Sequence, residues 1–500
     1  MKQSRILPFL VAMYPMVYVC AYIVGVPRSI EFAVDAAVLF LVTTLIVGLL
    51  QIVLRDRDTA PFIATFFLMW MFSYASARAL VVGRTVFGIR IWSHTIAIPL
   101  WLAVLGLGLA LIPFKIAARP NAVRSLNVFA VLLLLLPIGS GMWSQRHDAP
   151  QSLPSSGDQT PPHVVQSNPP DIYFFLMDAY GGEKEFRSLL GFDNTKFLGE
   201  LVRRGFTASE RSYSNYPATY LSLAATLNMD YLASAPVGAG QYKLLQSPQE
   251  ILESIRHNTV YRYLQSAGYK LVDLSIWDEI RGGGKCQEPL ENPFLNSFSL
   301  ELINMTVLGK PIAQNLLWGL RNSRLDPCRL DAVREAIVTN GPKLVYVHLM
   351  LTHVPYMFTD GGEFLPVWQI VSQVKINRAL YFSQVNFANS QLLNAIDQIL
   401  SSSPRPPIIV VEGDHGPALM DPDAEGIRLR QSILNAWYLP DAGGATTDIP
   451  SSPINTFRFL LSRYVGFQLD PLDDRHFAAD LEGKPRTLVD VTERLRELHP

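Results

Sequence analysis

Four separated stretches carry residues whose types do metal and acid–base chemistry. The last is "PPIIVVEGDHGPAL", Pro406 to Leu419, where a β-branched apolar run ends in Glu412, Gly413, Asp414 and His415. A carboxylate and an imidazole at the end of a buried strand both need polar partners, and one divalent cation satisfies both. That donor set suits zinc, manganese or a related ion, and no Cys cluster points to a structural thiolate site. Glu412, two residues earlier, reads as a structural or outer residue. Asp178, in "MDAYGG", follows a second apolar run, and His353, in "HLMLTHVPYMF", follows a third. Taken singly, Asp178 reads equally well as a turn or cap residue, and His348, inside its run, as a satisfied core histidine. His353 lies beyond its run, in a turn stiffened by Pro355.

The fourth stretch is "YSNYPATYLSLAATLNMDYL", Tyr213 to Leu232. Pro217 suits a helix start, and Leu221, Leu223 and Leu227 supply a buried stripe. Thr219 then falls at a helix N-terminus, where backbone N–H groups and the helix dipole favour phosphate or sulfate. Near a bound metal its hydroxyl would become a usable nucleophile. Without one it is a capping Thr, and the residue type alone leaves both readings open.

The elements that must position these residues are short apolar strands at 171–177, 343–351 and 407–412, rich in β-branched and aromatic residues. Helical stretches lie between them, at 193–204, 218–227, 259–267 and 376–400. This alternation predicts an α/β layer architecture with a mostly parallel central sheet covered on both faces. Ligands of such sheets bind outside the carboxyl ends of the strands. Asp178, His353, Asp414 and His415 all follow strand ends.

The remainder of the chain is of another kind. Its 500 residues are 49% hydrophobic, more than an ordinary soluble enzyme carries, and the excess lies in the first 143. Five apolar segments, about 6–24, 32–54, 61–77, 92–114 and 126–143, are each long enough to cross ~30 Å of hydrocarbon as a helix. A cleaved signal peptide is the alternative for the first, but a second span follows at once. With the N-terminus in the cytoplasm, inner loops hold Lys2, Arg5, Arg55, Arg57, Lys115, Arg119 and Arg124, against Arg28, Arg84, Arg90 and Arg146 outside. An odd number of spans exports everything after residue 143. Asp35, near the outer end of the second span, could contact a lipid head group, though an interfacial acid needs no such role. Residues 144–170, rich in Pro, Ser and Gln, read as an extended linker. A catalytic domain over 171–480 and a tail over 481–500 complete the expected division. Cys286 and Cys328 fall in the exported part, where an oxidising compartment permits pairing, though two free thiols fit equally. Net charge near zero excludes a basic field for nucleic acid, and no protein partner is evident.

Assembled, "PDIYFFLMDAYGG", "SNYPATYLSLAATLNMDYL", "HLMLTHVPYMF" and "VVEGDHGPAL" resemble, in order, the motifs of the alkaline-phosphatase superfamily, in the sulfatase-like branch that includes lipoteichoic acid synthases. The likeness covers 170 to about 420 and extends through "ILNAWYLP" and "SSPINTFRFLL" towards 475. Five spans before an exported catalytic domain is also the layout of lipoteichoic acid synthases and lipid phosphoethanolamine transferases. The resemblance implies that Asp178, Thr219, Asp414 and His415 hold one divalent metal (Mn, Zn or Mg) and that Thr219 is the nucleophile. It implies that His353 binds phosphoryl oxygens or protonates the leaving group, and gives His348 a matching place as a possible substrate-binding residue.

Two departures bear on the reaction. Formylglycine sulfatases need Cys or Ser in a C/S-x-P/A-x-R signature, whereas this chain has "YPATYLS", with Thr and no Arg following. Where sulfatases pair acids after the first strand, Asp178 is followed by Ala179, which favours one metal. The resemblance thus implies a membrane-anchored transferase moving a phosphoryl-linked head group from a phospholipid to an envelope glycan or lipid through phosphothreonine. It implies the plasma (inner) membrane of a bacterium, with the catalytic domain periplasmic or extracellular. A sulfate- or phosphate-ester hydrolase on the same fold and a non-catalytic envelope scaffold or sensor are the alternatives.

Overall fold

The structure, a computed structural model, describes residues 6–22, 29–81, 85–86, 89–90, 94–111, 125–132, 134–137, 169–238, 240–244, 246–275, 286, 297–373, 377–421, 423–440, 448–479 and 487–497. The chain divides into two compact units, residues 1–153 with 289–321 and 367–374, and residues 154–288 with 322–366 and 375–500.

The first unit holds α1 (Leu7–Tyr22), α2 (Ser29–Leu54), α3 (Ala60–Phe72), α4 (Tyr74–Val81) and α5 (His94–Leu111). Within it, Phe32–Leu54 is a helix long and apolar enough to cross a membrane. It leaves Phe40, Leu45, Leu49 and Ile52 exposed, an apolar surface that water disfavours. Leu7–Ala21, Ala60–Phe72 and Ser125–Pro137 are apolar but shorter. The single span expected over 61–77 is instead broken at Ser73, just past which the Ala75 N–H leaves the helix ladder and donates to the Met305 carbonyl oxygen at 3.2 Å.

The unit also takes in stretches that sequence reasoning assigns to the 171–480 domain, and the reason is apolar packing. Helix α6 (Ser297–Asn304) buries Phe298 and Leu302, with Met305 just beyond it, in one cluster with Leu7, Met16, Val19, Leu68 and Phe72. Asp35 is therefore not turned to a lipid head group. It is buried and accepts a hydrogen bond from the Ser299 hydroxyl at 2.9 Å. The expected linker lies outside the described residues except for Pro169 and Pro170.

The second unit is built on two sheets. Its strands are β1 (Ile172–Met177), β2 (Thr207–Ala208), β3 (Ala233–Gly238), β4 (Gln241–Leu244), β5 (Lys270–Leu274), β6 (Lys343–Leu349), β7 (Ile408–Gly413), β8 (Asn435–Tyr438), β9 (Phe477–Ala479) and β10 (Thr487–Asp490). The main sheet runs β2-β8-β7-β1-β6-β5. Its strands β7, β1, β6 and β5 are parallel, while β8 and β2 add an antiparallel edge. The sequence reading therefore has the sheet type and its three central strands. It omits β5 and β8, whose apolar runs are shorter.

Every residue of β1, β6 and β7 is buried, as expected where both faces are covered. Ile172, Phe174 and Leu176 pack on one face against Leu223, Ala224 and Leu227 of α7 (Thr219–Asn228). The alternate residues Tyr173, Phe175 and Met177 face the other way. The smaller antiparallel sheet runs β9-β10-β4-β3. The expected C-terminal tail thus supplies β10, a central strand, because Leu488 is an apolar residue that the core buries.

Register fixes what matters next. Met177 stands opposite both Leu349 of β6 and Gly413 of β7. The residues just beyond these strand ends, Asp178, Met350 and Asp414, emerge at one edge.

Candidate functional site

The two edges of the parallel sheet treat their charges differently. At the entry edge, Asp171 accepts from Lys343 Nζ at 2.7 Å and from Arg405 Nη2 at 2.9 Å, so its buried carboxylate is paired within the protein. At the exit edge the carboxylates are only partly satisfied. Asp414 Oδ1 accepts the backbone N–H groups of Ala179 (2.9 Å) and His415 (2.8 Å), but Oδ2 has no hydrogen-bond partner. Asp178 Oδ2 lies 3.1 Å from His348 Nε2 and receives a long bond from Thr219 Oγ1, 3.4 Å, while Oδ1 has none. Buried polar atoms without partners are uncommon and costly. Here two of them sit beside His415, and ligand atoms of Asp178, Asp414 and His415 lie within 4.8 Å of one another.

Local backbone explains the convergence. Ala179 adopts a left-handed conformation (φ 59°), and its N–H meets Asp414 across the sheet edge. A Cβ on Gly416 would stand 2.0 Å from the Leu429 carbonyl oxygen, so only glycine lets the loop after His415 pass so close to the following helix. That helix is α9, Ala424–Gln431, following α8, Arg378–Ser402. Tyr381 of α8 donates its hydroxyl to the Ala179 carbonyl oxygen at 2.8 Å, holding the first turn from the other side.

Thr219 is the first residue of α7, half-buried, with Oγ1 3.1 Å from His415 Nε2. The preceding Ala218 is extended (φ −141°, ψ 138°) and offers no side-chain cap, so the helix N-terminus opens at the nucleophile candidate itself. His415 Nδ1 faces the Gly416 carbonyl oxygen at 3.1 Å, which assigns the proton to Nδ1 and leaves the Nε2 lone pair turned to Thr219. Burial, reinforced by the Arg430 charge, holds the ring well below the usual imidazole range, hence neutral.

The two acids are driven apart. Burial would raise Asp178, but His353 and the His348 hydrogen bond outweigh it and hold its carboxyl well below the usual range. Burial and then the Asp178 charge push Asp414 well above it. Two adjacent buried carboxyls do not both ionise readily without a cation. Two orphaned carboxylate oxygens and one neutral imidazole nitrogen are a donor set that fits a single divalent ion.

The remaining sequence candidates fall as follows. His348 is fully buried under Asp178, so in this structure it meets that carboxylate rather than an open surface. His353 is half-buried, its Nδ1 2.5 Å from the Val354 carbonyl oxygen. Glu412 points away from the metal-type cluster and accepts from Thr456 Oγ1 at 2.8 Å; burial pushes its carboxyl up to about 8. Cys286 and Cys328 form a disulfide, Cα–Cα 5.6 Å.

One residue escaped sequence reasoning. Arg430, on α9, donates Nε to the Pro217 carbonyl oxygen (2.8 Å) and Nη1 to that of Gly416 (2.8 Å). Its Nη2 reaches 3.2 Å from His415 Nε2. The available signal was a charged residue flanked by Leu429 and Gln431, both buried, just before an apolar strand.

No family model and no curated protein matches the chain. Solved structures do resemble it. The C-terminal periplasmic domain of EcEptC from Escherichia coli is 13% identical, with 66% of this chain and 94% of that one covered at TM-score 0.40. The integral membrane protein lipooligosaccharide phosphoethanolamine transferase A (EptA) from Neisseria meningitidis is 12% identical, covering 93% and 96% at TM-score 0.39. The lipoteichoic acid synthase LtaP from Listeria monocytogenes is 12% identical, covering 64% and 79% at TM-score 0.36. At these TM-scores the likeness carries no functional argument, and function rests on the site's own geometry.

Proposed function

We propose that this protein is a membrane-anchored, metal-dependent phosphotransferase that moves a phosphoryl-linked head group from a phospholipid to an envelope glycan or lipid. The observation that carries the reading is the pair of orphaned oxygens on Asp178 and Asp414, set with His415 Nε2 around the Thr219 hydroxyl. Asp178, Asp414 and His415 would hold one divalent ion, joined by Thr219 Oγ1. Zinc, manganese or magnesium bound there would lower the pKa of the Thr219 hydroxyl and offset charge on the phosphoryl oxygens.

The chain's own residues divide the remaining work. Thr219 Oγ1 loses its proton to solvent and forms a bond to the donor phosphorus, as the bond from phosphorus to the diacylglycerol oxygen breaks. His353 supplies the proton that oxygen takes up. The α7 N-terminus directs its dipole at the phosphoryl group. An acceptor hydroxyl then takes the head group from phosphothreonine and restores Thr219. His348 fixes Asp178 from behind, as second partners of ligating groups do. The exposed apolar α2 and the disulfide support an exported, membrane-anchored enzyme.

The test is peptide mass spectrometry of the full chain in detergent after incubation with total membrane lipids and zinc or manganese. A head-group phosphate added at Thr219 is expected. Lipid turnover without any adduct overturns covalent catalysis, and turnover of aryl sulfate but not of aryl phosphodiester overturns the transferase reading in favour of a hydrolase. Undiminished function of Thr219→Ala in cells favours the scaffold.

A further inference from the structure

We infer that Arg430 is an anion-binding residue of this site, whose Nη2 contacts a phosphoryl oxygen of a singly charged phosphodiester at Thr219. The inference rests on the proposed function and concerns a residue to which the motifs give no part.

The geometry separates the three donors of Arg430. Nε and Nη1 hold two backbone carbonyls, those of Pro217, two residues before the nucleophile, and Gly416, next to His415. These bonds tie the two loops of the site together. Nη2 instead reaches His415 Nε2, the lone pair that a metal ion would take. A cation and a guanidinium N–H cannot both use that lone pair, so loading the site turns Nη2 to another acceptor. Thr219 Oγ1 lies 3.1 Å from the same nitrogen and Nη2 3.2 Å from it, so donor and nucleophile share one neighbouring atom and are at most 6.3 Å apart. A non-bridging oxygen on a phosphorus joined to Oγ1 then falls within charge-assisted hydrogen-bond reach of Nη2, about 2.8 Å.

Charge points the same way. Arg329, Lys343 and Arg405 each meet a carboxylate, at 2.7, 2.7 and 2.9 Å. Among the described residues Arg430 has no carboxylate at ion-pair distance; Asp414 and Asp178 act on it only through space, and a cation bound to them would offset their charge and leave the guanidinium to a ligand. With Asp178, Asp414 and the Thr219 alkoxide set against Arg430, the proton that His353 supplies and one divalent ion, the proposed site carries a single net positive charge. That complements the single negative charge of a phosphodiester better than the double charge of a phosphomonoester.

The experiment uses the zinc-loaded full chain in detergent, with Thr219→Ala to prevent turnover, titrated calorimetrically with bis(p-nitrophenyl) phosphate. Adding Arg430→Met is expected to weaken diester binding at least tenfold and Arg430→Lys less, because lysine keeps the charge without the fork. Zinc affinity, measured without diester, should change less than threefold. Should Arg430→Met not fold, Arg430→Gln makes the same comparison. Equal diester affinity in the Met and unmutated proteins overturns the inference. So does equal loss in Met and Lys together with loss of zinc binding, the mark of a purely structural tie. Turnover by the otherwise wild-type enzyme separates the two claims. If it cleaves the diester while Arg430→Met leaves binding intact, only this inference falls. If it cleaves none yet binding depends on Arg430, the anion site stands and the transferase falls.

Discussion

Replacing Asp414 with Asn should reverse its effect on stability when metal is added. The side-chain oxygen that accepts the Ala179 and His415 N–H groups is kept, and the amide nitrogen takes the place of the orphaned Oδ2. Without metal, the wild-type protein sets two carboxyls with atoms within 4.8 Å of each other. Two full charges at that spacing repel by about 3.5 kcal/mol at an effective dielectric of about 20. Proton uptake by Asp414 relieves part of this. Asp414→Asn in EDTA should therefore be as stable as the wild type or more so, by no more than about 3 kcal/mol. Zinc at a hundredfold excess over its Kd should stabilise the wild type by about 2.7 kcal/mol and the variant far less. For a unit of this size that is roughly a 5 °C rise in Tm, read by tryptophan fluorescence during thermal denaturation of the full chain in detergent. An equal zinc response in both proteins, or none in either, would refute Asp414 as a ligand.

Three other outcomes follow from the same structure. Thr219→Ala should lower turnover of bis(p-nitrophenyl) phosphate at least a thousandfold, while Thr219→Ser, which keeps a hydroxyl, retains measurable rate; steady-state kinetics decide it. Asp171→Ala strands the buried Lys343 at the opposite sheet edge and should destabilise by roughly 3–5 kcal/mol with zinc affinity unchanged, seen by denaturation and calorimetry. Burial pushes Asp326 up to about 6 despite its ion pair with Arg329. Its folded form then holds a proton more tightly than its unfolded form, so this contribution to stability is fullest below about pH 4 and is lost as pH rises through 6. Relative to Asp326→Asn, the wild type should lose about 2.4 kcal/mol between pH 4 and 7 in denaturation measured across that range.

How much was legible beforehand depends on the kind of residue. The three central strands announced themselves because strands buried on both faces read as unbroken apolar runs. Asp178, Asp414 and His415 followed because a polar residue at the end of such a run has no bland partner in the sequence. β5 and β8 did not announce themselves, since four or five residues with mixed polarity at the side of a sheet look like loop. Nor did β10, whose place between β9 and β4 depends on pairing across more than two hundred residues. The apolar N-terminal part was plain from composition, but the break at Ser73 turns on a long-range bond, from the Ala75 N–H to the Met305 carbonyl oxygen. The docking of α6 with α1 and α2 turns on the partner that the Phe298 and Leu302 face finds.

The sequence by itself determined the chemistry available: an acid, an imidazole and a hydroxyl at the ends of apolar elements, and a strongly apolar stretch before them. Those follow from composition and period, which are local. Only the tertiary structure decided which groups share a site and in what state. The common register of β1, β6 and β7 brings Asp178 to Asp414 and His348 beneath Asp178. The close passage allowed by Gly416 brings α9, and with it Arg430, to His415. These are long-range matters of pairing and packing, and a linear chain carries no local mark of the neighbour that burial will force upon each charge.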